Sequence, residues 1–216
     1  MLWCTNMHIP DGYLSPAVAG TTLLITLGVL VFAIRKISST RDSLSEKTPL
    51  FTALSAGIFV AQMIAWPIPG GTSLHLVGGA LAGILVGPWL GILSMSLVLF
   101  VQCLIFHDGG LTAIGANIIN MGIVGVLVGY VVFKAVYKAS KKVWLSGFLA
   151  GWLSLVLAGL TCGIELGISW SSALPIYVMT SWHAILGLIE GLITSGVVSY
   201  LTIKSLKIGG GFSAFS

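Results

Sequence analysis

Long apolar runs, broken by short polar segments, dominate the chain. A helix that crosses the hydrocarbon core of a bilayer needs about 20 apolar residues, because every backbone N–H and C=O group must be bonded internally. Most of the runs approach that length, and the third and fourth are short and separated only by Gly87-Pro88-Trp89. The pattern predicts seven spans, at residues 14–34, 50–66, 73–87, 89–106, 111–133, 143–166 and 182–203.

Composition excludes most other classes of protein. The chain has 216 residues, of which 56% are hydrophobic and only 7% are charged, whereas a soluble domain carries about 25% charged residues. So few charges cannot cover a water-facing surface, which excludes coiled coils, disordered tails and nucleic-acid-binding domains. Cys4, Cys103 and Cys162 show no metal-ligand or redox spacing. The sequence therefore predicts an all-α integral membrane protein.

The basic residues predict its orientation. Lys and Arg are enriched in the cytoplasmic loops of membrane proteins. With the N-terminus outside and the C-terminus cytoplasmic, seven spans place three segments inside, at residues 35–49, 134–142 and from 204 onward. Those segments hold all ten basic residues, Arg35, Lys36, Arg41, Lys47, Lys134, Lys138, Lys141, Lys142, Lys204 and Lys207. We therefore attribute the net charge of +4 to the membrane topology of the chain, and we expect no nucleic-acid partner.

All four histidines fall on the other, outer side of this topology. They are His8 before the first span, His75, His107 between spans four and five, and His183 at the start of span seven. Imidazoles gathered at one face suggest a metal site, although histidine also favours the membrane interface in general. For His183 we take the interfacial interpretation.

The N-terminal segment has the composition of a chelator. Ile9-Pro10-Asp11-Gly12 has a turn signal, with Pro second and Gly fourth, that would fold the segment back into the bundle. If Met7 is the first residue, its amine, the His8 peptide nitrogen and the His8 imidazole place three nitrogens in one plane. A fourth nitrogen from His75 would complete the square geometry typical of Ni(II) or Cu(II) and tolerable for Co(II).

His75 is predicted to lie in the first turn of span three, capped by Thr72 or Ser73. The positive end of the helix dipole would keep its imidazole neutral and available as a ligand. Met1 to Asn6 precede Met7 and would convert its amine into an amide. We therefore expect residues 1–6 to be an upstream extension, not part of the mature protein, followed by a chelating segment at 7–13, a seven-helix domain at 14–208 and a flexible tail at 209–216.

Three motifs together resemble those of a known family. They are M-H-I-P-D-G-Y-L at 7–14, P-x-P-G-G-T-S-x-H-x-V-G-G at 67–79, and H-D-G-G-L-T-A-I-G-A-N-I-I-N-M at 107–121. The chain resembles the CbiM/NikM family of substrate-capture (S) components of energy-coupling-factor cobalt/nickel transporters. The resemblance covers residues 7 to about 204, and the six-residue extension is its one clear departure.

The resemblance implies a function and a set of partners. It implies high-affinity capture of Co²⁺ or Ni²⁺ as transported substrate, held by Met7, His8 and His75, in a prokaryotic cytoplasmic membrane. It also implies a transmembrane T component, a pair of cytosolic ATPases and, in many members, a small accessory membrane subunit. It implies no enzymatic activity of this chain itself and no organic cofactor.

Several other polar or small residues are candidates for supporting roles. His107 and Asp108 could form a gate or orient a ligand, or could equally form a solvated turn that caps span five. Asn117 and Asn120 share a helix face that must point into the bundle, for interhelical bonding or to orient a histidine. Glu165 and Glu190 are the only acids inside spans, and we assign no metal to Glu190. The stripe Gly79, Gly83 and Gly87 predicts close helix packing.

The chain shows no means of driving uphill transport by itself. It has no G-x-x-x-x-G-K-[ST] phosphate loop and no chain of buried ionisable residues for a proton relay. These features favour a capture subunit over the alternative, a self-contained secondary transporter or channel for a divalent ion. An intramembrane metal-dependent hydrolase is disfavoured because no H-E-x-x-H motif occurs.

Overall fold

Seven helices and one two-stranded hairpin make up the residues that this computed structural model describes, 8–39, 44–68 and 72–208. The extension at 1–6, Met7 and the tail at 209–216 lie outside the described residues. The helices are α1 (Pro16–Ser38), α2 (Leu44–Gln62), α3 (Gly79–Val86), α4 (Pro88–Ile105), α5 (Ile114–Ser140), α6 (Val143–Trp170) and α7 (Leu174–Ile208), with strands β1 (Ala65–Ile68) and β2 (Thr72–His75) between α2 and α3. The expected helical architecture is confirmed.

Five of these helices, α1, α4, α5, α6 and α7, are long and apolar enough to cross a membrane. The helix α2 has 19 residues, and α5 contains a π-helical segment at Ile118–Val124. The core lies around α4, where Ile92, Met95 and Leu99 are buried against the neighbouring helices. The outward faces of the long helices expose large apolar side chains, as lipid contact requires.

The predicted continuous span at 73–87 is wrong. Its helical part, α3, has only eight residues and measures about 12 Å, against about 30 Å of hydrocarbon. Residues Thr72–His75 instead form β2, which pairs antiparallel with β1 so that His75 lies opposite Ala65. The helix cannot start earlier because Gly78 has a φ of 76°, in the left-handed region. His75 therefore ends a strand and does not open a helix, and the N-cap of α3 is Gly78, not Thr72 or Ser73.

The segment predicted as the third span is therefore composite. Residues 76–78, which have no regular structure, connect the hairpin to α3, and α3 leads to a turn at Gly87, whose φ is 88°. Pro88 starts α4, where its fixed φ suits the first helical position.

The two ends of the bundle differ in charge. One end gathers residues 8–15, the hairpin, the loop 106–113 and the α6–α7 turn. Hydrogen bonds from Trp170 Nε1 to the Tyr13 carbonyl (2.9 Å) and from the Ser15 amide to Ser169 Oγ (3.0 Å) join the N-terminal segment to the end of α6. We call this end of the bundle the site end. The helix directions place eight basic residues at the opposite end, Arg35, Lys36, Lys47, Lys134, Lys138, Lys141, Lys142 and Lys204.

Glycines let α3 lie directly on the backbone of α5. A Cβ atom added to Gly79 would lie 2.8 Å from the carbonyl oxygen of Met121, and one added to Gly83 would lie 2.6 Å from that of Val126. These two positions of the predicted stripe thus pack inside the chain. Gly87 does not join them, because it occupies the turn and a Cβ there would meet nothing within 4 Å.

We predict that Gly83→Ala destabilises the protein, because the new methyl group meets a backbone oxygen that cannot rotate away. Overpacking of this kind costs about 1–3 kcal/mol, which should appear as a lower thermal midpoint in detergent. The control is Gly28→Ala on the exposed face of α1, where a Cβ meets nothing within 4 Å and alanine favours the helix. Equal midpoints for the two variants would contradict this account of the α3–α5 contact.

Candidate metal-binding site

The N-terminal segment is fixed to the bundle through the backbone of Ile9. Asn117 Oδ1 accepts a hydrogen bond from the Ile9 amide at 3.0 Å, and Asn117 Nδ2 donates to the Ile9 carbonyl at 3.2 Å. The Gly110 amide donates to the same carbonyl at 2.9 Å. Asn117 therefore bonds to both backbone groups of Ile9, as a neighbouring β-strand would. These bonds hold the adjacent His8 inside the bundle.

A second attachment follows at the turn. Asp11 Oδ1 accepts hydrogen bonds from the Thr112 amide (2.7 Å) and from Thr112 Oγ1 (2.5 Å), and these bonds lower the pKa of Asp11. Gly12, with a φ of 83°, turns the chain toward α1. The fold-back expected from Ile9–Gly12 is thus present.

The two glycines after Asp108 make room for this segment. A Cβ atom added to Gly109 would lie 2.8 Å from the Cβ of His8, and one added to Gly110 would collide with the backbone of Asp11. The φ of 93° at Gly109 also disfavours any side chain. The loop therefore needs Gly-Gly so that the N-terminal segment can approach it closely.

His8 and His75 meet beneath this loop. Their ring centroids lie 5.0 Å apart with the planes at 61°, and both side chains are buried. His8 Nδ1 lies 3.3 Å from Asp108 Oδ2, but neither ring nitrogen of His8 makes a hydrogen bond with the part of the chain that the structure describes. Buried imidazole nitrogens are normally satisfied, so this ring is suited to bind a ligand.

The tautomer of His75 follows from its hydrogen bond. Nδ1 lies 2.8 Å from the carbonyl oxygen of Leu76, and a carbonyl can only accept, so Nδ1 carries the proton. Nε2 therefore keeps its lone pair and is the atom that can bind a cation.

His75 is neutral at physiological pH, but not through a helix dipole. Burial lowers the pKa of His75 to about 4, and repulsion from His8 also lowers it, while the bond to the Leu76 carbonyl and the charge of Asp108 act in the opposite direction. At neutral pH a cation could therefore bind Nε2 without displacing a proton from this ring.

Two other predicted residues, His107 and Asn120, do not join this pair. His107 is exposed with a φ of 53°, and its side chain does not join the buried cluster. Asn120 donates to Glu165 Oε2 at 2.7 Å, which links α5 to α6. Met7 lies outside the described residues. Within the described ranges, no group of three or more His, Cys, Asp and Glu residues is placed to hold a metal ion, so the buried side chains offer two imidazoles with one adjacent carboxylate.

Two residues that support His75 carried little signal in the sequence. Gln62 Nε2 donates to the Val77 carbonyl at 2.6 Å, and Glu190 accepts from the amides of Val77 and Gly78 at 3.0 and 2.7 Å. The sequence distinguishes Glu190 only as an acid inside an apolar run. Its partner is a backbone segment more than 100 residues away, which no local pattern identifies.

Comparison with known families decides the classification. The family described as "Cobalt uptake substrate-specific transmembrane region", CbiM, matches residues 8–207. The chain belongs to the CbiM family. This membership confirms the resemblance that the three motifs indicated, and together with the apolar helices it makes the chain a multi-pass membrane protein.

Similar CbiM-family proteins have names that refer to metal transport. A putative fused nickel transport protein from Archaeoglobus fulgidus is 50% identical over 90% of this chain, which spans 65% of that protein's length. A putative metal transport protein from Haloquadratum walsbyi is 45% identical, with 90% of this chain and 89% of that protein covered. A cobalt transport protein from Geobacter sulfurreducens is 33% identical over 55% of this chain and 35% of its own length.

Solved structures share the fold. A crystal structure described as a transition metal transporter matches with a TM-score of 0.84 and 33% identity, over 92% of this chain and 94% of that one. A truncated transition metal transporter matches with a TM-score of 0.83 and 33% identity, over 92% of this chain and 99% of that one.

We predict that Asn117→Ala loosens the N-terminal segment, because the Ile9 amide loses its partner in a buried site. An unsatisfied buried group costs about 1–3 kcal/mol, so the Ile9 amide should exchange with deuterium roughly 10- to 100-fold faster. The matched control is Asn120→Ala, which removes the bond to Glu165 and should leave the exchange of residues 8–14 unchanged. Unchanged exchange in Asn117→Ala would show that the segment is held by other contacts.

Proposed function

We propose that this chain is the capture subunit for Co²⁺ or Ni²⁺ of an ATP-driven uptake transporter of the energy-coupling-factor type. The observation that carries the proposal is the meeting of two buried imidazoles, His8 and His75, at 5.0 Å in a CbiM-family protein. One comes from the N-terminal segment and the other from the hairpin. The names of the similar nickel and cobalt transport proteins support the choice of substrate.

In this proposal the substrate ion is held by nitrogen ligands. His75 contributes Nε2, the lone-pair nitrogen. His8 contributes Nδ1 and its own backbone nitrogen, which form a six-membered chelate ring with the ion. The amine of Met7 and the same backbone nitrogen form a second, five-membered chelate ring with it. The Asp108 carboxylate, 3.3 Å from His8 Nδ1, places a negative charge beside the cation. A planar set of nitrogens favours Ni(II) and also accepts Co(II).

The charge asymmetry of the bundle supports an orientation. Basic residues concentrate at the cytoplasmic side of membrane proteins, so the end opposite the histidines faces the cytoplasm and the site end faces outward. The ion would enter from outside, lose its water to the nitrogen ligands and be released inward. A T component and paired ATPases, with or without a small accessory subunit, would supply the energy and the conformational change.

We predict that His8→Ala and His75→Ala each abolish high-affinity binding of nickel and cobalt, because each removes a nitrogen that has no substitute. Isothermal titration calorimetry of the purified protein measures this directly. The control is His107→Asn, a change at an exposed histidine. Asparagine tolerates the left-handed backbone at this position, so the affinity of this variant should equal that of the wild type. Wild-type affinity in His75→Ala would refute the ligand assignment.

A transport assay separates the capture subunit from the alternative function. Liposomes that contain this chain alone should bind metal without accumulating it, whereas co-reconstitution with the T component and ATPases should give ATP-dependent uptake. Concentrative uptake by the chain alone would favour a self-contained secondary transporter.

We predict that a free Met7 amine is required for full affinity. In intact mass measurements, protein extracted from the native membrane should begin at Met7, and metal analysis of the same sample should show bound nickel or cobalt. A single residue added before Met7 should weaken binding as strongly as loss of the His8 ring, because it converts the amine into an amide. Undiminished affinity with that addition would remove the amine from the ligand set.

A further inference from the structure

Glu190 is a buried carboxylate without a role in the ligand set. It lies in the apolar helix α7 with 2% of its surface exposed, where an ionisable residue is costly and usually functional. Both of its oxygens accept backbone hydrogen bonds, Oε2 from Val77 at 3.0 Å and Oε1 from Gly78 at 2.7 Å. Glu190 therefore holds the irregular segment that follows His75 through the amides of Val77 and Gly78.

The bond to Val77 acts on the same peptide unit that His75 contacts. The Leu76 carbonyl and the Val77 amide belong to one planar peptide group. His75 Nδ1 donates to the carbonyl side of that group, and Glu190 accepts from its amide side. A rotation of this plane would move the Leu76 oxygen away from the ring, so the carboxylate fixes the group that orients His75.

The next peptide unit is held in the same way. Gln62 Nε2 donates to the Val77 carbonyl at 2.6 Å, and Glu190 Oε1 accepts from the Gly78 amide. The Gly78 carbonyl accepts from the Ala82 amide at 3.0 Å inside α3. The Leu76–Val77 and Val77–Gly78 peptide units are therefore bonded on both sides, which restricts the rotation of each unit.

We propose that Glu190 is a positioning residue for the metal site, acting on His75 through the Leu76–Val77 peptide unit. This inference depends on the proposed function, since it assumes that His75 Nε2 binds the ion. The carboxylate polarises the peptide group, which strengthens the Leu76 carbonyl as an acceptor and holds the tautomer that leaves Nε2 free. Carboxylates that orient metal-binding histidines directly play the same part in many metal sites; here a peptide unit stands between them.

The test compares Glu190→Gln with Glu165→Gln. Glu165 is a second buried glutamate, and it bonds to Asn120 instead of the His75 segment. Nickel affinity measured by calorimetry should fall roughly 10- to 100-fold in Glu190→Gln, the usual effect of losing a residue that orients a ligand. It should stay at the wild-type value in Glu165→Gln. Deuterium exchange of the Val77 and Gly78 amides should accelerate only in the Glu190 variant.

A double variant tests the route of the effect. If Glu190 acts through His75, adding Glu190→Gln to His75→Ala should cause no further loss of affinity, because coupled residues are not additive. The residual affinity of His75→Ala can be measured at high nickel concentration. An additional loss equal to that of the single variant would show a general structural effect and overturn the inference.

The outcomes also separate this inference from the proposed function. Absence of nickel and cobalt binding in the wild type would refute the function. Binding in the wild type, loss in His75→Ala and wild-type affinity in a folded Glu190→Gln would overturn only the positioning role. Glu190→Asp is measured alongside, since it keeps the charge but shortens the reach, so its affinity should lie between those of the wild type and Glu190→Gln. Wild-type affinity in both folded variants would refute the role of Glu190.

Discussion

The need to satisfy irregular backbone inside a helical bundle is the constraint on which this structure depends. A helix bonds its own amides and carbonyls, but residues 76–78 lie between β2 and α3 without regular structure, and the amides of Val77 and Gly78 bond to a side chain instead. Irregular backbone at membrane depth is tolerated only where protein groups replace the missing bonds. Glu190 and Gln62, from two different helices, supply them, and the strand that carries His75 is held in place as a result.

The same requirement explains how the N-terminal segment reaches the site. Residues 8–11 also lack internal bonds, and Asn117 and the Gly110 amide satisfy both backbone groups of Ile9. The glycines at 109 and 110 remove the side chains that would keep the two segments apart. Asn117 and the two glycines thus position the segment that carries His8. Glu190 and Gln62 position the segment that carries His75 in the same way.

This arrangement suits capture of an ion. The two imidazoles come from segments of irregular or strand structure, yet each segment is fixed by buried hydrogen bonds to long helices. Preorganised ligands lower the cost of ordering a site when the ion binds. Each imidazole is thus carried by a short segment that a long helix holds. A change in the packing of α5 or α7 would move Asn117 or Glu190 and so displace the imidazoles.

The sequence by itself determined the class of protein, the family, the separation of basic residues from histidines and the pairing of His8 with His75 as candidates. These depend on composition, on the length of apolar runs and on short motifs, all of which are local. The strand at Thr72–His75, the shortness of α3 and the different partners of Asn117 and Asn120 were decided only in three dimensions. The reason is physical. The conformation of residues 73–78 depends on the pairing of β2 with β1, on a hydrogen bond that Gln62 donates and on hydrogen bonds that Glu190, 113 residues beyond Val77, accepts. The apolar character of the segment contains no information about these distant partners.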